Sequence, residues 1–344
     1  MRRRLKLILF MLSVLFIAAI VVGCSDDEGA SEANTEGEVQ NSESDDSDGN
    51  EDEAVNYPTE PITVVVPAGA GGDTDINARI LGKYLEEELG QPVVVSNVAG
   101  AGGTVGSTEV LDDEADGHTV LFFHNSLLLN HILGLADFSY NDFKLAGIAL
   151  LDHGNTFMVN AETGFEDLED MVDYARANPG EVSIATEVGG FTHLQLLALE
   201  EDQGIELNIV DVGGAADKLA ALLGGQIDIN PTALGLVREY VESGDLRSLG
   251  IMAEDRIDLM PDVQTFTEQG VDSVFEKFFF YGFNPDTPDE FVEIFSQAVE
   301  NVVNNEEYRA EAEEYLVSPT FMDPEEAFEY IKETEEYYKE LHGE

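Results

Sequence analysis

From residue 57 onward, apolar positions alternate between two spacings, one of short β-branched runs and one of helical recurrence. Ile62–Pro67 is a β-branched run stopped by proline and a glycine-rich turn. Ile76, Ile80, Leu81, Tyr84, Leu85 and Leu89 then recur at helical spacing, with Asp73 or Thr74 as N-cap and Gly90 as the stop. Val93–Ser96 reads as a second strand, followed by a second glycine-rich turn and a helix from about Thr104. Thr119–Phe123, Lys144–Leu151 and Thr156–Asn160 are further strands. Between residues 161 and 275 the rhythm repeats. Helices Leu168–Ala177, Thr192–Glu201, Ala215–Leu223 and Leu234–Val241 alternate with strands Val182–Ala185, Ile205–Val212, Gln226–Asn230 and Leu246–Ala253. An aromatic strand, Phe278–Phe283, precedes helices at Asp289–Asn304, Glu306–Tyr315 and Pro324–Leu341. Alternation of this kind predicts an α/β fold with largely parallel sheets.

The first 56 residues do not follow the rhythm. Arg2, Arg3, Arg4 and Lys6 precede and flank an apolar stretch, Leu5–Gly23, that ends in Val21-Val22-Gly23-Cys24. Small residues before the only cysteine resemble a bacterial lipobox. That implies a signal peptide over residues 1–23 and a lipid on Cys24; an uncleaved anchor helix is the other reading of an apolar stretch of this length. Ser25–Asn56 carries 13 acidic residues and no basic one, so residues 24–56 read as an extended acidic tether.

Composition narrows the function. A length of 344 residues suits two domains. Sixteen Lys and Arg against 71 Asp and Glu give a net charge of −55, which opposes binding to phosphate backbones and to anionic lipid surfaces. Most of the acidic residues lie beyond the tether, so the excess covers the folded surface and reads as adaptation to high salt. One cysteine excludes an internal disulfide framework and a cysteine-rich zinc site.

The strongest chemical signal is a pair of turns at strand ends. The first is Pro67-Ala68-Gly69-Ala70-Gly71-Gly72-Asp73-Thr74-Asp75; the second is Asn97-Val98-Ala99-Gly100-Ala101-Gly102-Gly103-Thr104. Glycine lets a ligand approach bare N–H groups, and a helix starting after the turn adds unpaired donors and partial positive charge. Neither turn holds a basic residue, so together they would form an anion site without lysine or arginine. No phosphate-binding Gly-x-x-x-x-Gly-Lys is present in either turn, and a strict dinucleotide pattern fails at Thr74 and Val105.

Several stretches resemble the tripartite tricarboxylate transporter substrate-binding proteins, the TctC or Bug family. They are Tyr57–Ile62 with the first turn, Leu89-Gly90-Gln91-Pro92-Val93 with the second, Asp116-Gly117-His118-Thr119, Asn178-Pro179-Gly180, Leu222-Leu223-Gly224-Gly225-Gln226-Ile227-Asp228 and Ser243-Gly244-Asp245-Leu246-Arg247. The resemblance covers roughly residues 57–340. It implies a two-lobed periplasmic-binding-protein fold, type II-like, with crossing strands near 156–160 and 278–283 as the hinge. Residues 57–157 and 279–344 would form lobe 1, and 158–278 lobe 2. The ligand would be a small organic carboxylate, delivered to a transporter with one large and one small integral membrane subunit.

The resemblance also carries site residues. In lobe 1 these are Ala68, Gly69, Gly71, Gly72, Asp73, Thr74 and Asp75, then Gly100, Ala101, Gly102, Gly103 and Thr104, then Asn125 and Ser126. In lobe 2 they are Gly189, Gly190, Thr192, His193, Gly213 and Gly214. His193 reads equally as a helix-start histidine with a structural hydrogen bond. Asp73 and Asp75 read either as helix-start acids or, for Asp75, as an acceptor for a ligand ammonium. Where the family has Pro-Tyr-Lys-Gly this chain has Asp211-Val212-Gly213-Gly214, losing an aromatic and a cation. His124 and His131 make no compact metal motif, and no Gly-x-Ser-x-Gly elbow appears. The expectation is a monomeric, lipid-anchored, extracytoplasmic binding protein with no cofactor, no metal and no catalysis. A sensor docking to a membrane receptor and a secreted hydrolase are the alternatives.

Overall fold

The computed structural model describes residues 55–162 and 165–342. The expected signal peptide, Cys24 and nearly all of the expected tether lie outside them. Among the described residues no helix is long and apolar enough to cross a membrane.

Two sheets organise the chain. The first runs β11–β4–β10–β3–β1–β2. Its strands are β1 (Ile62–Val66), β2 (Val93–Asn97), β3 (Thr119–His124), β4 (Lys144–Asp152), β10 (Lys277–Phe283) and β11 (Ser318–Met322). The second runs β7–β6–β8–β5–β9. Its strands are β5 (Asn155–Asn160), β6 (Ser183–Thr186), β7 (Asn208–Asp211), β8 (Ile229–Ala233) and β9 (Leu246–Ile251). Both sheets are mixed, which corrects the expectation of largely parallel sheets. β1 pairs parallel with β2 and β3, and β6 with β7 and β8, whereas β10, β4, β11, β5 and β9 join antiparallel. Four of these five strands, β4, β5, β9 and β10, flank the two crossings between the sheets, and β11 adds to the edge of the first.

The strand-crossing boundaries also move. β5 lies wholly in the second sheet and β10 wholly in the first, so the chain changes sheets at His153-Gly154 and just before Lys277. Asn125 ties this crossing together. Its side-chain amide donates to Glu276 O (3.1 Å) and Tyr338 Oη (2.7 Å), and its Oδ1 accepts from Phe278 N (3.0 Å). Asn155 ties the other lobe to it, donating to Phe275 O (3.2 Å).

Central strands carry the core. Every residue of β10, KFFFYGF, is buried, as expected of a strand covered on both faces. One face packs on α1 (Asp73–Leu89) and α8 (Asp289–Val303), through Leu81, Leu85, Phe295 and Val299. The other face continues, through Phe275, Phe278 and Phe280, into the apolar residues of the second lobe around Phe157 and Phe191.

Two expected strands are displaced for local reasons. Ile205 N and Leu207 N bond to Glu200, at the end of α5 (Phe191–Gln203), so β7 starts only at Asn208. Gly225 N and Gln226 N turn back onto α6 (Ala215–Leu223), which delays β8 to Ile229. The helix α3 (Ser126–Ile132) and strand β11 are additions to the sequence reading.

Candidate functional site

The C-terminal ends of β1 and β3 in one lobe and β6 and β8 in the other face a common cleft, the usual ligand position in open α/β sheets. A small cavity of about 80 Å³ lies there, lined from both lobes. The lobes touch around it. Ser126 Oγ accepts a hydrogen bond from Phe191 N (2.8 Å), and a Cβ at Gly102 would stand 3.1 Å from the Gly189 carbonyl.

Three helices begin at the cavity, each with glycine as N-cap and no side-chain cap. They are α1 after Gly72, α5 after Gly190 and α6 after Gly214. A helix start leaves unpaired N–H groups that can meet an anion, although Phe191 N at the second start is already engaged by Ser126 Oγ. The cavity is lined by Gly72, Asp73 and Thr74 from the first helix start, Gly190 and Thr192 from the second, and Gly214 and Ala215 from the third.

Two lysines line it as well, which corrects the expectation of an anion site free of basic residues. Lys277, the first residue of β10, is ion-paired with Asp73. Burial raises the Asp73 carboxyl, but the Lys277 ammonium outweighs it and holds the group at about 2. Lys218, one turn into α6, is buried and donates to Pro231 O at 2.8 Å. Burial, reinforced by the Lys277 charge, brings its ammonium down to about 8. The cation missing from residues 211–214 therefore returns a few residues later in the chain. His124 is buried deeply enough to be held neutral, well below the usual histidine range, and its Nδ1 accepts from Ser126 N at 3.2 Å.

Of the residues expected at the site, Ala68, Gly69, Gly72, Asp73, Thr74, Gly102, Ser126, Gly190, Thr192 and Gly214 line the cavity. The others stand behind it. Gly71 N donates to Asp75 Oδ2 (2.8 Å), and Asp75 also pairs with Arg79 (2.9 Å), so Asp75 ties the turn together instead of facing the cavity. Gly100, Ala101 and Gly103 shape a 3₁₀ turn ahead of Thr104; Gly103 lies so close to the Phe123 ring that no side chain fits there. Asn125 belongs to the strand crossing. Gly189 packs against Leu135, and Gly213 against Asp217. His193 sits in the first turn of α5, outside the lining, and burial lowers its pKa. Lys218, Lys277, Glu187, Asn155 and Thr232 line the cavity without having been anticipated, whereas His124 was expected only to pack near the cleft. Only Lys218 left a trace in the sequence, as a lysine one turn inside a helix start, where the dipole disfavours a cation unless an anion is near. Among the described residues no group of three or more His, Cys, Asp or Glu is placed to hold a metal ion.

Comparison with known proteins places this arrangement. The model of the tripartite tricarboxylate transporter family receptor matches residues 77–342. The chain belongs to this family. Protein BugT of Bordetella pertussis is 33% identical over 220 residues, covering 62% of this chain and 67% of BugT. A solved structure described as a periplasmic transporter superposes with a TM-score of 0.79 at 26% identity, covering 84% of this chain and 98% of its own. MatC from Rhodopseudomonas palustris, solved with bound malate, shares the fold with a TM-score of 0.78 at 22% identity, over 83% of this chain and 99% of its own. As a TctC/Bug receptor the protein is a solute-binding protein and not an enzyme.

Proposed function

We propose that this TctC/Bug protein captures a small organic carboxylate outside the cytoplasmic membrane and presents it to a permease of one large and one small integral subunit. The observation that carries the reading is the convergence of three uncapped helix starts and Lys218 on one interlobe cavity. Such a site offers N–H donors and a buried cation, which suits a small anion such as a carboxylate. The strand crossings at 153–154 and 276–277 serve as the hinge, and ligand bound between the lobes favours the closed arrangement. The lipobox at Cys24 supports tethering to the membrane through a lipid. MatC, with the same fold, holds a dicarboxylate.

A thermal-shift screen in high salt, with di- and tricarboxylates, aromatic acids and amino acids, tests the reading. A ligand at about 100 times its Kd stabilises by about 2.7 kcal/mol. The expected result is a shift with one class of acid that disappears in Gly102→Val, whose side chain would press on the Gly189 backbone. A folded protein that shifts with no carboxylate would overturn it.

A further inference from the structure

We infer that the ligand is a small zwitterion, its carboxylate taken by Lys218 and the helix starts and its cationic nitrogen by Glu187. This rests on the carboxylate reading and sharpens it. Four side chains of full formal charge line the cavity: Asp73, Lys277, Lys218 and Glu187. Asp73 and Lys277 satisfy each other. Lys218 and Glu187 remain, both on the second lobe, and no salt bridge joins them.

Among the described residues Lys218 has a single partner, the Pro231 carbonyl, which leaves two of its three N–H donors open. The Glu187 carboxylate accepts no hydrogen bond among the described residues, although it is half-buried in the same cavity. Its backbone is fixed, because Glu187 O accepts from Gly190 N at 2.9 Å in the turn that leads into α5. Burial raises its carboxyl above the ordinary range, and the nearby Asp211 and Asp217 push in the same direction, opposed by Lys218 and Lys277.

Charge accounting then selects the ligand. A simple monocarboxylate occupies Lys218 and leaves the Glu187 carboxylate half-buried without a hydrogen-bonded counter-charge of its own. A dicarboxylate adds a second negative group to a cavity that already holds an unpaired one, unless Glu187 takes up a proton. A molecule with one carboxylate and one ammonium or quaternary nitrogen neutralises both. Asp75, the acid that the sequence first offers for an ammonium, is already engaged by Arg79 and Gly71, whereas Glu187 is free for that role.

Calorimetric titration with matched probes decides the matter. Succinate and β-alanine, and glutarate and γ-aminobutyrate, differ by exchange of one carboxylate for an ammonium; glycine betaine and the L-α-amino acids complete the panel. The expected result is that a zwitterion binds at least tenfold tighter than any dicarboxylate. Glu187→Gln should lower that affinity tenfold or more while leaving dicarboxylate binding unchanged or stronger. Lys218→Met should lower binding of both kinds. Dicarboxylates preferred by the unmodified protein, or zwitterion binding indifferent to Glu187→Gln, would overturn this inference and leave the carboxylate reading standing. Binding of no carboxylate of either kind would overturn both.

Discussion

Asp73 and Asp152 both neighbour Lys277, and their environments move them in opposite directions. Asp152 faces Lys277 across the β4–β10 ladder, is fully buried, and has one oxygen on Gly154 N while the other lacks a partner. Burial, followed by the Asp73 charge, pushes it up to about 6. A carboxyl raised on folding favours the native state while protonated, so this contribution is present near pH 4 and is lost as the pH rises through 6. Asp152→Asn should therefore gain stability over the parent protein across that interval, by up to about 3 kcal/mol, in urea unfolding at pH 4 and pH 7. An equal difference at both pH values would show that Asp152 does not titrate there. Asp73 behaves oppositely, stabilising above its ordinary range and ceasing to do so as the pH falls towards 2. Lys277→Met should leave that carboxylate buried without its counter-charge and cost about 3 kcal/mol in the same assay at pH 7. Of the two lysines of the cavity, Lys218 left a trace in the sequence and Lys277 left none. Lys277 and Asp73 are 204 positions apart, and nothing local marks Lys277 as other than the polar start of an aromatic strand.

At the scale of elements, the helices were legible because their apolar spacing is strong, and the glycine turns were legible as turns at strand ends, of which the first lines the cavity and the second reaches it through Gly102. The capping was not. A search for side-chain caps lands on Asp73 or Thr74, whereas the cap is Gly72, and the proposed anion site depends on the lack of a side chain there. Gly72→Ser tests this directly. A Cβ at Gly72 meets Ala215 Cβ and Gly69 O, each at 3.5 Å, both ordinary contacts. Serine should cap α1 and raise stability by a few tenths of a kcal/mol, in the range separating serine from glycine caps. Its hydroxyl would occupy donors meant for the ligand, so calorimetry should show weaker carboxylate binding in a protein no less stable. Strand direction was also hidden, since the run of β10 does not reveal that it lies antiparallel between β3 and β4.

At the scale of the molecule, a net charge of −55 makes self-repulsion a property of the whole surface. Raising NaCl from about 0.1 M to about 1 M shortens the screening length from ~10 to ~3 Å, and the urea midpoint should rise accordingly. A midpoint that falls or stays level would remove the salt-adaptation reading of the acidic surface. The strand–helix rhythm showed the α/β class and the family resemblance implied two lobes, but the places where the chain changes sheets depend on pairing between distant strands. That pairing also sets an order in time. β10 fills the gap between β3 and β4, yet it follows the entire second sheet in the chain. While the polypeptide emerges from N- to C-terminus, the second sheet has all its strands before the first has its centre, and β3 and β4 wait with open edges. The last helix, α10 (Pro324–His342), then brings Tyr338 to Asn125 and closes the crossing. A chain halted before residue 277 would thus carry every strand of the second sheet and a first sheet split between β2–β1–β3 and an unpaired β4.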